Sequence, residues 1–540
     1  MKYIFVSGGV VSGLGKGVTT ASLAFLLKSR GFRVAPVKID MYLNIDAGTI
    51  RPQEHGEVFV TQDGIETDED LGHYERFTGE NLTRANYITT GQIYAEVLRK
   101  ERAFEYGGED VEAIPHVTDE IIRRIKLAGE SQSAQIVIVE LGGTVGEYQN
   151  GIFFEASRIM KLKNPEDVIH VHVTYLPYLA NIGELKSKPA QTSVRILNGM
   201  GIQPDMIVAR TDTPIDKRRL DRLALFCNVD EKCIFSAPNV STVYEIPLLF
   251  HQASHHLASC CLKLLSLRVG KHKNLGKWTE MTKRALTKYP KQVKIAMVGK
   301  YFITGEYNLV DSYVSVVEAV RHAAWKVGVE AILSWIDAED LEKSRKNLTG
   351  FDAIIVPQGW GSRGTEGKIM AVNYARENNI PYLGLCFGMQ MATIEFARNV
   401  LKLSGANSTE VDPKTKYPVI HIMPDQEKYL AKRQYGGTIR LGAWPCRIKK
   451  GTRLSKIYKS QTTVYERHRH RYEFNNGYRA RFEKAGFVIS GSSPDGKLVE
   501  AIELKNHKFF IGTQFHPEYI SRPLTPHPIF ISFLKAAMES

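Results

Sequence analysis

The chain has 540 residues, 43% hydrophobic and 24% charged, a globular balance at a length that calls for two or three packed cores and excludes a single small module or a disordered polymer. No apolar run reaches the roughly 18 residues of a membrane span, and the start, MKYIFVSGG, carries no signal-peptide pattern, so a cytoplasmic protein with no membrane partner is expected. The formal charge of +13 raises nucleic-acid binding, but the basic residues stand singly beside glycine-rich turns, which suits polyphosphates rather than a nucleic acid. The six cysteines (Cys227, Cys233, Cys260, Cys261, Cys386, Cys446) form no CxxC pair, so neither a disulfide framework nor a zinc site is expected.

Short β-branched runs alternate with amphipathic helical stretches, the pattern of parallel sheets with crossover helices, and predict two doubly wound α/β domains. In the first half the strands are predicted at Tyr3–Val6, Arg33–Lys38, Gln135–Glu140, Val168–Thr174 and Met206–Ala209. In the second half they are predicted at Lys294–Gly299, Ala331–Ile336, Ala353–Val356, Pro381–Leu385 and Phe509–Gln514. Between them a basic stretch poor in β-branched residues reads as a linker with some helix, giving domains at 1–266 and 293–540 joined by 267–292.

The opening segment reads strand, glycine-rich loop, helix. Gly13, Gly15 and Gly17 let backbone N–H groups converge on an anion at a helix N-terminus, and Lys16 adds a point charge. Position 10 is Val where a standard phosphate loop has Gly, and Gly17 stands where that loop has a magnesium-binding hydroxyl; a purely structural turn is the alternative. The apolar strand QIVIVE ends in Glu140 before the loop GGTVG, and Asp70 lies in the acidic stretch ETDEDLGHYERF, a type of run that is ordinarily solvated. With the loop hydroxyl missing, Asp70 and Glu140 are the candidates to carry a metal.

The strings FVSGGVVSGLGKG, GEVFVTQDG, DLGHYERF, GGTVG and ALFCNV resemble the synthetase domain of CTP synthases, across nearly the whole first half. The resemblance implies a P-loop, dethiobiotin-synthetase-like amidoligase. It implies ATP contacts at Gly13, Leu14, Gly15, Lys16, Gly17, Val18, Lys38 and Asp70, with Mg²⁺ on Asp70 and Glu140. UTP, and CTP as feedback inhibitor, would meet Ser12, Glu147, Tyr148, Gln149, Arg222 and the KSKPAQ run of Lys186, Ser187, Lys188, Pro189, Ala190 and Gln191. A pyrimidine carbonyl oxygen is a poor leaving group, so phosphorylating O4 of UTP makes its displacement by ammonia feasible.

In IPYLGLCFGMQ, Cys386 follows an apolar strand between Gly384 and Gly388, the cysteine counterpart of a nucleophile elbow, with a helix N-terminus to favour the thiolate. In FFIGTQFHPEY a second apolar strand leads to His516, and Glu518 two residues on can orient its imidazole. GLCFGMQ, ANSTE, ERHRHRYE and QFHPE resemble class I glutamine amidotransferases, and within them CTP synthases. By that resemblance Cys386, His516 and Glu518 form a triad. Glutamine would lie against Gly359, Phe387, Gly388, Met389, Gln390, Glu410 and Arg471, while GGTIRLGA, with Thr438 and Arg440, would be a mobile lid that responds to GTP as allosteric activator.

Three positions depart from the family's pattern: Gln358 where a glycine is usual, Gln149 where an acid is usual, and Arg222 where a lysine is usual. The joined expectation is ammonia released at Cys386 and delivered to a phosphorylated UTP, by a homotetramer with filament formation as a further option. Competing readings are a P-loop amidoligase acting on another acid, a nucleotide switch, and a filament protein without catalysis. KSKPAQ with ALFCNV favours UTP over another acid, and the complete triad disfavours the last two.

Overall fold

The computed structural model describes residues 1–252, 256–268, 275–301, 303–304, 307–308, 310–343 and 348–539. The chain forms two compact units: Met1–Asp46 with Asp70–Leu286, and Ala47–Glu69 with Thr287–Ser540. The linker expected at 267–292 thus holds the end of the first unit and the start of the second; its residues 269–274 lie outside the described residues.

In the first unit, strands β1 (Lys2–Gly8), β2 (Val34–Asp40), β3 (Tyr87–Thr89), β4 (Ile136–Leu141), β5 (Val168–Tyr175), β6 (Met206–Thr211) and β7 (Ile234–Pro238) form a seven-stranded sheet. Its order is β7–β6–β5–β1–β4–β2–β3, every pairing parallel. All seven residues of β2 and all six of β4 are buried, as a strand covered on both faces requires. Helix α1 (Lys16–Ser29) follows β1 and is buried on nearly every side. Helix α2 (Asp70–Thr78) packs on it and buries Leu71, Tyr74 and Phe77, a helical stripe inside the acidic stretch. Helix α3 (Lys188–Gly199) carries most of the KSKPAQ run. Helix α4 (Leu275–Leu286), inside the expected linker, belongs to this unit because Trp278 is fully buried, 4.2 Å from Phe25 and 5.2 Å from Phe77 between ring centroids.

Contrary to expectation, Cys233 and Cys260 are paired as a disulfide, with Cα atoms 6.4 Å apart; the other four cysteines are free and buried. The pairing depends on helix Leu257–Leu264 meeting the turn Glu231–Cys233 just before β7, which sequence spacing does not encode.

The second unit holds β8 (Gln292–Gly299), β9 (Glu330–Asp337), β10 (Ala353–Val356), β11 (Tyr382–Leu385), β12 (Arg440–Ile448), β13 (Thr463–His470), β14 (Phe487–Ser492), β15 (Val499–Leu504) and β16 (Phe510–Thr513) in a nine-stranded sheet. Its order is β9–β8–β10–β11–β16–β15–β14–β12–β13. The half from β9 to β16 is parallel, and the half from β16 to β13 is antiparallel. Ile295 and Met297 of β8 feed one apolar cluster while Ala296 and Val298 feed the other, so both faces of the parallel half are covered. The antiparallel half escapes the predicted elements. In β13 the run Glu466, Arg467, His468, Arg469, His470 is buried but wholly polar, and gives no apolar alternation.

The sequence reading places Ala47–Glu69 in the first domain; in the structure it packs as part of the second unit. Polar bonds hold it there. Glu57 Oε2 accepts the Ser315 N–H at 2.9 Å, Arg467 Nη1 donates to Val60 O at 2.9 Å, Tyr519 OH donates to Val58 O at 3.0 Å, and Arg469 Nε donates to Glu66 Oε1 at 2.8 Å.

Candidate functional site

The loop between β1 and α1 has the backbone that its glycines call for. Gly13 and Gly15 have φ of +71° and +80°, and Gly15 caps α1 in the left-handed region. Val10, where a standard loop has glycine, adopts φ +85°, a strained angle for a β-branched residue. Ser7 Oγ lies 2.9 Å from His172 Nδ1 and Ser193 Oγ lies 3.0 Å from His172 Nε2, so a buried imidazole ties β1 to α3. Burial, with Lys16 nearby, lowers the His172 pKa to about 4, so the imidazole is neutral.

Lys38 and Glu140 lie side by side in the register of β2 and β4, and Asp70 opens α2 beside them. Lys38 Nζ donates to Asp70 and to Glu140 Oε1 at 3.2 Å, with Asp40 Oδ1 3.6 Å away. Tyr74 OH donates to Glu140 Oε2, and Lys16 Nζ donates to Gly143 O at 2.9 Å. Burial and the charge of Asp70 raise the Glu140 pKa to about 7; at Asp70 burial acts the same way but is outweighed by Lys38, His73 and Lys16, which hold it below the usual range. Burial lowers the Lys16 pKa. Three carboxylates facing one lysine leave an excess of hard, negative oxygen donors, a set that fits Mg²⁺. Gly17 has a steric reason: a Cβ there would lie 1.8 Å from Asp70 Oδ1, so the Asp70 carboxylate fills the space a loop hydroxyl would occupy.

The residues expected to meet UTP are less tightly tied. Glu147 Oε1 accepts the Thr144 N–H at 2.6 Å and its hydroxyl at 2.7 Å, which fixes the turn after β4. Tyr148 is fully exposed, and Ser12, Gln149 and Lys188 are exposed. Lys186 pairs with Glu184, Gln191 Nε2 donates to Ser187 Oγ at 3.0 Å, Pro189 sits in the first turn of α3, and Ala190 is buried there. Leu14 is buried and Val18 half-buried beside Lys16. Arg222 is exposed on helix Lys217–Cys227 and forms no ion pair among the described residues.

In the second unit Cys386 sits between β11 and helix α5 (Phe387–Asn399) with φ +51° and ψ −98°, outside the ordinary regions for a residue with a side chain. The flanking glycines make that turn possible. A Cβ on Gly388 would lie 2.0 Å from Val356 O, and one on Gly384 would lie 2.7 Å from Tyr382 Oη. Cys386 N–H donates to Thr513 O at 2.7 Å, which locks the turn to β16. His516 Nδ1 lies 2.7 Å from Glu518 Oε1, and its ring stacks on Tyr519 at 4.9 Å. His516 Nε2, fully buried, hydrogen-bonds to nothing among the described residues. Burial opposes protonation of His516, but Glu518 and Cys386 outweigh it and raise the pKa to about 10.

A cavity of about 620 Å³ in this unit is lined by Glu410, Arg471, Tyr472, Trp360, Arg469 and Glu66, with part of its wall from 48–53. Glu410, raised in pKa by burial, accepts the Gly361 N–H at 2.7 Å. Arg471 Nη2 donates to Thr438 Oγ1 at 2.8 Å and Nη1 to Gln426 Oε1 at 3.0 Å. Gln390 Nε2 donates to Tyr472 O at 3.0 Å, and the Met389 side chain lies in the core. Of the expected lid, Arg440 is already the first residue of β12. It is buried, pairs with Glu500 at 2.7 Å, and lies 3.3 Å from His468 Nδ1. Sequence reasoning misses the cavity residues Glu66, Trp360 and Arg469. GEVFVTQDG and ERHRHRYEF contain or adjoin two of them, yet nothing local in either string tells that they meet.

The model for the CTP synthase N-terminus matches residues 2–267, and that for class-I glutamine amidotransferase matches residues 308–536. A CTP synthase of Thermomicrobium roseum is 49% identical over 99% of this chain and 95% of its own. One of Bacillus subtilis is 49% identical over 100% of this chain and 99% of its own. The chain belongs to the CTP synthase family. Glutamine-dependent CTP synthesis by a glutamine-hydrolysing ligase is the activity that both matched domains support, with ATP, UTP and glutamine as the family's substrates. Among solved structures, a Trypanosoma brucei glutaminase domain with bound acivicin is 40% identical, covering 46% of this chain and 94% of its own at a TM-score of 0.42. Among the described residues no helix is long and apolar enough to cross a membrane.

Proposed function

We propose that this chain hydrolyses glutamine at Cys386 and uses the ammonia to aminate UTP that ATP has phosphorylated at O4. The observation that carries the glutaminase half is Cys386 held at φ +51° on its elbow, in the same buried neighbourhood as a His516–Glu518 pair at 2.7 Å. Cys386 Sγ attacks the side-chain carbonyl carbon of glutamine, and the carbonyl electrons move to oxygen, against N–H groups of the Gln358–Gly359 turn. His516, protonated up to about pH 10, gives its proton to the departing nitrogen; water then cleaves the thioester with the imidazole as base. Arg471 suits the α-carboxylate of glutamine and Glu410 its ammonium.

In the first unit, the loop N–H groups with Lys16 and Lys38 face the phosphates of ATP, and Ser12, Glu147 and Lys186–Gln191 form the UTP side. Asp70 and Glu140 would hold Mg²⁺, which when bound neutralises charge on the transferring phosphoryl group. Lys38 balances the same carboxylates: it holds Asp70 ionised and favours the ionised form of Glu140 against the burial that raises it. Ammonia adds at C4 of the phosphorylated pyrimidine, phosphate leaves with the C4–O bond pair, and the nitrogen gives up one proton to leave the amino group. GTP activation through the segment before Arg440, feedback by CTP at the UTP side, a homotetramer and a cytoplasmic location complete the reading. The test is product analysis with ATP, Mg²⁺, UTP and glutamine, with and without GTP. CTP is expected; glutamine consumption with no CTP in either condition overturns the synthetase half.

A further inference from the structure

The turn after β10, residues 357–361, has its carbonyl groups gripped from one side. Lys368, on helix Thr365–Glu377 and fully buried, donates from Nζ to Pro357 O at 2.9 Å and to Gln358 O at 3.3 Å. Lys300, just beyond β8 and also buried, donates to Trp360 O and to Gly361 O at 2.9 Å. Gly359 lies between the two side chains: a Cβ there would come 2.7 Å from Lys300 Cε and 3.3 Å from Lys368 Nζ. Both ammonium groups also face the ring of Phe387, the neighbour of Cys386, at 4.5 Å and 5.3 Å from its centroid.

A trans peptide points its N–H opposite to its C=O. Lys368, by holding the carbonyls of Pro357 and Gln358, therefore turns the N–H groups of Gln358 and Gly359 away from itself. Those two N–H groups donate to nothing among the described residues. Lys300, by holding Trp360 O, aims the Gly361 N–H, which donates to Glu410. Neither lysine forms an ion pair among the described residues, although an ammonium buried without a counter-charge opposes folding. Burial lowers both pKa values, that of Lys300 to about 8. A core has no packing need for two such groups on one five-residue turn.

We propose that Lys368 and Lys300 are positioning residues of the glutaminase: Lys368 aligns the peptides of Gln358 and Gly359 so that their N–H groups meet the oxyanion, and Lys300 aligns the peptide that holds Glu410. The dipoles of the pinned peptides have their negative ends on the lysines and their positive ends toward the developing charge, so each ammonium reinforces the donor it orients. This rests on the reading of Cys386 as nucleophile.

The experiment measures glutamine hydrolysis by the full chain in Lys368→Met, Lys368→Gln, Lys300→Met and Cys386→Ala, beside the rate at which iodoacetamide alkylates Cys386. Alkylation needs the thiolate but forms no oxyanion. For Lys368→Met we expect kcat to fall about 10²-fold, the scale of one lost oxyanion donor, with KM within about twofold and alkylation slowed far less than turnover. Lys368→Gln, which keeps a donor, should recover part of the loss, and it carries the test if the Met variant does not fold. Lys300→Met should raise KM for glutamine more than it lowers kcat. A kcat within about threefold of the parent in folded Lys368 variants, or alkylation slowed as much as turnover, overturns the proposal. If Cys386→Ala still hydrolyses glutamine, the nucleophile reading itself fails, an outcome separate from failure of the lysines alone.

Discussion

Gly17 shows how a missing side chain can carry function. Its Cα faces the Asp70 carboxylate so closely that any Cβ would overlap it, so Gly17→Ala should push Asp70 away from Lys38 and Glu140. We expect CTP synthesis to fall about 10²-fold with either nitrogen source, since phosphoryl transfer precedes amination, while glutamine hydrolysis survives. Unchanged synthesis with free ammonia would show that Asp70 has no part in the transfer. A second residue-scale prediction concerns Glu518. Its charge helps hold His516 protonated to about pH 10; removing that charge lowers the imidazole pKa, so the alkaline limb of glutaminase activity should move to lower pH in Glu518→Gln. A pH–kcat profile with its limb in place would mean that Glu518 only holds the ring. The sequence makes Cys386, His516, Glu518 and Lys16 legible because each sits in a local string whose glycines or strand ends imply a turn. Lys300, Lys368 and Glu66 are not legible, because each acts across the fold on a group that no nearby residue announces.

Among elements, most of the parallel strands are legible: all ten predicted strands overlap observed strands of the two sheets, since a strand buried on both faces is a short β-branched run, while the parallel strands β3 and β7 go unpredicted. The antiparallel half is hidden for the opposite reason. β13 buries charges that are satisfied by partners far along the chain, and β12 contains Gly442 and Pro445. The buried ion pair between Arg469 of β13 and Glu66 gives a prediction at this scale. Glu66→Ala leaves the guanidinium buried without its carboxylate, which should destabilise the second unit by about 3 kcal/mol, and Arg469→Met in the same chain should restore most of it. Thermal unfolding of the two variants reads this directly; equal stability of Glu66→Ala and the parent would show the pair to be solvated.

At the scale of the whole molecule, the candidate phosphate-binding and nucleophilic residues fall in different compact units, and the two chemistries should be separable by single substitutions. Cys386→Ala is expected to abolish CTP formation from glutamine while sparing formation from ammonia. Lys16→Ala should lower both by about 10²-fold or more. Equal loss from both nitrogen sources in a folded Cys386→Ala protein would count against two separate sites.

The chain nevertheless crosses between the units three times, at Asp46, Glu69 and Leu286. The two units are therefore not two consecutive stretches of sequence. A fragment beginning at Thr287 would inherit the nucleophile and its base but would leave behind 48–53 and Glu66, part of the wall of the cavity beside Arg471. It would also expose Arg467, Arg469 and Tyr519 where they now bond to Val60, Glu66 and Val58. Recombining this half with a different synthetase half would thus require grafting the Ala47–Glu69 excursion as well. Inheritance of the two activities is coupled by chain connectivity, even where their chemistry is not.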